Sequence, residues 1–111
     1  MKLNIDWADP LMQYSDPLEI KTMDLEDFYQ TQGAYERSNL FFVLEASFRY
    51  YAGEGDNVRA AYLAYLAAYY LFVTLTPPGA SMLALYYIKQ AVQLDPKPEY
   101  ERWLDSIERE D

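Results

Sequence analysis

The feature that most constrains this chain is a long internal stretch with no acidic residue. Between Val58 and Leu94 the only charges are Arg59 and Lys89, although the whole sequence carries 18 acids and 9 bases. The acids are gathered at the two ends, eleven in residues 1–57 and seven in residues 95–111. Charged side chains are rarely fully buried, so a segment that avoids them is one that expects neighbours on most sides. The middle of the chain is therefore read as the core, with the acidic ends facing water. With 111 residues, 51% of them apolar, there is material for one compact domain.

The period of the apolar residues is helical. Leu40, Val43, Leu44, Ser47, Phe48 and Tyr51 follow i, i+3, i+4 spacing and predict a helix over Asn39 to Tyr51, ended by Gly53 and Gly55. Asp56 is placed to cap a helix from Asn57 to about Leu75, in which five alanines (Ala60, Ala61, Ala64, Ala67, Ala68) permit close helix approach. Thr76-Pro77-Pro78-Gly79 breaks it. Ala80 to Leu94 is the next helix, stopped by Asp95-Pro96, and Pro98 opens a last amphipathic one carrying Tyr100, Trp103, Leu104 and Ile107 on one side. Upstream, Asp16-Pro17-Leu18-Glu19 reads as a helix start. Another start falls at Thr22 or Asp24, giving a helix with Leu25, Phe28, Tyr29 and Tyr35 as its apolar stripe. Residues 1–15 read as an irregular N-terminal arm, and residues 16–111 as a single helical domain. No segment alternates with period two. The expected fold is all-α, with five to six helices and antiparallel neighbours joined by short turns.

Ala60 to Leu75 is the only long apolar run. Its sixteen residues fall short of a bilayer span, it holds four tyrosines, and two prolines follow it, so it is read as a core helix. Met1 to Pro10 has no apolar core of a secretory signal. Together these give a cytoplasmic expectation, without a membrane.

Within Ala80–Leu94, the residues Ala84, Ile88, Ala91 and the following Pro96 resemble the second helix of a tetratricopeptide repeat: a small residue, a large apolar one, another small one and a closing proline. Leu71 falls on that family's leucine, but Phe72 stands where glycine is expected. Earlier, Tyr29, Gly33 and Ala52 echo the pattern, Glu45 breaks it, and the spacing from Ala52 to Ala91 exceeds the 34-residue period, which requires insertions at the Gly53–Asp56 and Thr76–Gly79 turns. The resemblance implies an antiparallel array of helix hairpins in which Pro98 onward is the capping helix. It also implies a concave surface lined by the first helix of each pair. That places Tyr62, Tyr65, Leu66, Tyr69 and Val73, with Gln30, Ala34 and Arg37 from the earlier pair, on a groove that holds a peptide or helix of a partner protein.

The residues themselves leave two readings of the tyrosines. Tyr62, Tyr65 and Tyr69 share a helix face, and Tyr suits both a groove wall and the edge of a core. Arg59 and Lys89 either meet a partner's carboxylate or pair with acids from the chain ends. The acidic ends are either a solvated surface or an attraction for a basic partner.

Enzymatic chemistry has little to work with. The chain has no His and no Cys, so the usual nucleophile–base pairs and thiolate sites are excluded. Asp24, Glu26 and Asp27 include an i, i+3 acid pair, but an acidic first turn stabilised by the helix dipole accounts for it. Gly53-Glu54-Gly55-Asp56 carries acids that repel phosphate and lacks a following Lys. A net charge of -9 disfavours nucleic acid and anionic membranes. The expectation is a non-enzymatic module without cofactor or metal, an adaptor or small chaperone. The alternative is a subunit of a homo- or hetero-oligomer that uses an exposed apolar helix face, since two repeat-like pairs fall short of the three usually needed for independent stability. A Tyr-lined small-molecule pocket is the remote third reading.

Overall fold

The computed structural model describes Leu3, Ile5 and residues 16–110. Apart from Leu3, which is buried in the core, and Ile5, which packs against it, the N-terminal arm lies outside the described residues, as does Asp111.

Three of the helical elements begin where an aspartate side chain accepts from a free backbone N–H, whereas α2, α4 and α5 begin without a side-chain cap. Asp16 Oδ1 accepts from Leu18 N at 3.0 Å and starts a short 3-10 turn, Pro17–Glu19. Asp24 Oδ2 accepts from Lys21 N at 2.8 Å at the head of α1, Thr22–Thr31. After Gly33 comes α2, Ala34–Gly53, which starts earlier than the apolar stripe indicates because its first turn is largely solvent-facing. Asp56 Oδ1 accepts from Arg59 N at 3.1 Å at the head of α3, Asn57–Tyr69. The same helix continues as a wider π-helical segment, Tyr70–Leu75, closed by Thr76 N donating to Leu71 O at 3.1 Å. α4 is Ala80–Leu94 and α5 is Pro98–Arg109. Among the described residues there is no strand, so the architecture is a compact all-α globule of five helices with a Cα radius of gyration of 13.0 Å.

Short turns send the chain back on itself. α3 packs along both α2 and α4, α4 packs on α5, and the Pro17–Glu19 turn and α1 cover α3 and its π segment respectively. α3 is thus the hub. Ala60, Ala61, Leu63, Ala64, Tyr65, Leu66, Ala67 and Ala68 are all buried, which is why the segment tolerates no acid. The small residues bring the neighbouring helices close. The leucines then contribute about 1.5–3 kcal/mol each through full burial. Leu40, Val43, Leu44, Ser47 and Phe48 face it from α2, and Ala84, Tyr87, Ile88 and Ala91 from α4.

One expectation about this helix changes. With Asn57–Arg59 included, the helical run Asn57–Leu75 has 19 residues and is long and apolar enough to cross a membrane. In this fold it is the element enclosed by all the others.

Candidate functional site

The phenols of α3 are capped by the rest of the chain. Tyr62 OH donates to the Ile20 carbonyl, and Tyr69 OH donates to Glu26 Oε1 at 2.8 Å. Tyr70 OH donates to the Arg37 carbonyl. On the other side, α5 lays Tyr100 against Tyr65 and Trp103 edge-on against Tyr69, with ring centroids 5.3 and 5.5 Å apart. Tyr65 is 7% exposed and Leu66 is completely buried, so both belong to the interior and neither lines an open groove. The reason is α5: Tyr100 and Ile107 on its inner face find their burial against the centre of the molecule. Burial raises the Tyr65 hydroxyl to about 12. Burial also pushes up Tyr62, Tyr69, Tyr70 and Tyr100.

Arg59 is fully engaged by the chain's own acids. Its Nη2 and Nε reach Asp16 Oδ2 and Oδ1 at 3.0 and 3.1 Å, and its Nη1 reaches Asp56 Oδ2 at 3.0 Å. The Asp16 carboxyl is held below its ordinary value by the Leu18 N–H and by Arg59. Of the two readings of Arg59, the structure places it in the intramolecular pairing. Lys89 is exposed on α4 and forms no ion pair among the described residues. Ala34 is exposed at the head of α2.

Two of the expected groove residues do meet. Gln30 on α1 and Val73 on the π segment line one cavity of about 420 Å³, together with Glu26, Asp27, Tyr29 and Thr74. Arg37 stands behind it: its guanidinium lies 4.2 Å from the Tyr29 ring centroid, and its Nε donates to the Tyr29 carbonyl at 2.7 Å. Thr74 Oγ1 is buried and has no hydrogen-bond partner among the described residues. The sequence gives no sign of this cavity, because the π turn that swings Val73 and Thr74 onto α1 has no composition of its own. Glu26 and Asp27 read only as an acidic first turn. Among the described residues, no group of three acids, His or Cys gathers to hold a metal.

A second feature lies on α2 and α4. Phe42 is 63% exposed and Met82 76%, and Tyr35, Leu83 and Tyr86 are exposed as well. Beneath them the two helices are tied by aromatic contacts. Phe41 and Phe48 meet the Tyr87 ring edge-on at 5.7 and 6.1 Å, Phe42 leans on Phe41 at 5.3 Å, and Tyr86 on Tyr87 at 5.0 Å. Glu45 on this side of α2 is paired with Arg49 at 3.0 Å, and α4 contributes no acid. The only sequence signal for this face is the seven-residue step from Tyr35 to Phe42, off the buried stripe.

No protein-family model matches this chain, and neither does any curated protein or solved structure.

Proposed function

We propose that this chain is a non-enzymatic protein-binding module, an adaptor or small chaperone, that takes an amphipathic helix of a partner protein on the face formed by α2 and α4. The observation that carries this reading is the group of exposed apolar side chains Phe42, Met82, Leu83 and Tyr86 on two helices joined by the Phe41–Tyr87 and Phe48–Tyr87 ring contacts. It lies on helices whose nearby acid, Glu45, is already neutralised, in a chain of net charge -9. A surface built from Phe, Met, Tyr and Leu suits the apolar stripe of a helix. Lys89, exposed on α4 and without an ion pair among the described residues, favours a partner with an acidic flank.

The tetratricopeptide-like reading is part of the same proposal. Two features support it: consecutive helices pack side by side from α2 to α5, and Ala84, Ile88 and Ala91 are all fully buried. In this arrangement the tyrosines of α3 hold the array together, and recognition falls to the outer aromatic residues of α2 and α4.

The test is a photo-crosslinking amino acid placed at Phe42, at Tyr86 and, as a control, at Glu108, in the full chain inside cells. The expected result is a defined adduct from the first two positions, abolished by Met82→Glu and absent from Glu108. An adduct at twice the chain's own 13.0 kDa replaces the partner helix by a second copy and makes the chain an oligomer subunit. Equal labelling from all three positions, or none from Phe42 and Tyr86, overturns the proposal.

A further inference from the structure

We propose that Met82 is a modification site, oxidised to the sulfoxide by a peroxide, and that this modification switches off the α2–α4 face. The inference rests on the partner-binding reading of that face and adds its regulation. Met82 is 76% exposed in the first turn of α4, so an oxidant reaches its thioether in the folded state. The chain has no Cys, so no thiol of its own competes for the oxidant. Met82 and Tyr86 are four residues apart on α4 and share a side of that helix, with Leu83 beside them. Met23 supplies the contrast. It is 66% exposed, but it stands on α1, which packs on the π segment. Two methionines are thus open to oxidation, and one of them belongs to the proposed docking face.

The step is a two-electron transfer of one oxygen. The sulfur lone pair attacks an oxygen of hydrogen peroxide, the S–O bond forms and the O–O bond breaks. The hydroxyl proton on the transferred oxygen passes to the departing hydroxide, which leaves as water. Sulfur is oxidised and the peroxide is reduced. A flexible apolar side chain becomes a polar one whose new oxygen requires a hydrogen bond. The apolar stripe of a partner helix offers none, so docking would bury that oxygen unpaired. The change is reversible: a reductase removes the oxygen as water, with two thiols supplying the electrons and closing to a disulfide.

The experiment uses the full chain with the photo-crosslinking residue at Phe42, in cells with and without a pulse of hydrogen peroxide, beside Met82→Leu and Met23→Leu. Leucine keeps the apolar volume and has no sulfur to oxidise. Peptide mass spectrometry is expected to find one added oxygen at Met82 and at Met23. The adduct yield is expected to fall about 10-fold in the parent and in Met23→Leu, the effect of burying one unpaired polar group, and to persist in Met82→Leu. Circular dichroism of the purified, oxidised chain is expected to keep its helix signal, since Met82 lies outside the core. An unmodified Met82, a yield indifferent to peroxide, an equal loss in Met82→Leu, or loss of helix overturns the inference while the docking face stands. Absence of the adduct before any peroxide removes the docking face, and this inference with it.

Discussion

Tyr65 in the middle of α3 lies against Tyr100 at the start of α5, ring centroids 5.3 Å apart and planes inclined by 32°. This contact turns an exposed-looking aromatic stripe into the interior of the molecule. Tyr100 is 1% exposed, so truncating it removes a large buried ring and leaves a void. Tyr100→Ala is expected to cost about 3–5 kcal/mol in urea unfolding, with Tyr100→Phe costing well under half of that. A small effect of the alanine change would mean that α5 does not dock on α3.

Alkaline pH reports on the same contacts. An unfolded tyrosine loses its proton near 10, whereas Tyr65 keeps its proton to about 12 because it is buried. Between those values the unfolded chain binds fewer protons than the folded one, so stability falls as pH rises. The contribution is complete below about pH 10 and gone by about pH 12, on the order of 2 kcal/mol for Tyr65. Tyr62, Tyr69, Tyr70 and Tyr100 shift in the same direction. Phenolate absorbance followed alongside far-ultraviolet circular dichroism should therefore show a late group of tyrosines that ionise together with loss of helix.

At acid pH the sign reverses. Asp16 is held below its ordinary value by the Leu18 N–H and Arg59, so its contribution is present above that value and lost as pH falls through the lowered one. In Arg59→Gln the Asp16 carboxyl should titrate closer to the ordinary range, measured by carboxyl-carbon NMR. The variant should also lose less stability than the parent on going from neutral to strongly acidic solution. Salt should weaken the parent's advantage.

Backbone geometry around the break after α3 gives a paired test. Thr76 sits at φ 46° and Gly79 at φ 77°, both in the left-handed region. A β-branched residue is strained there and glycine is not. Thr76→Gly is therefore expected to leave stability unchanged or raise it by up to about 1 kcal/mol, while Gly79→Ala lowers it by about 1–2 kcal/mol. Thermal unfolding of the two variants checks both.

How much of this was legible beforehand depended on whether the deciding interaction was local. Ala80–Leu94 was readable to the residue because Gly79 and Asp95-Pro96 punctuate it. The inward face of α2, down to Ser47, was readable from its period. The start of that helix at Ala34 was not, since Tyr35, Glu36 and Arg37 add nothing to the apolar stripe. Accessibility of the tyrosines was not readable either: Tyr62 and Tyr69 find their partners Ile20 and Glu26 more than forty residues upstream, and helical spacing says only that they share a side. Arg59 illustrates the same point, because its partner Asp16 stands equally far off.

The widened turn at Tyr70–Leu75 gives the hub helix a place to absorb a change in length. The close-packed Ala60–Ala68 stretch lies upstream of it, Tyr70 and Leu71 at its start are buried as well, and the proline break lies downstream of Leu75. Excising one residue there lets the coil rewind to the usual pitch while Ala60–Ala68 keep their phase, so indels are cheaper at this point than anywhere else along the hub. Val73 and Thr74, which line the cavity, are the residues that would rotate, so the pocket can change shape while the scaffold stays fixed.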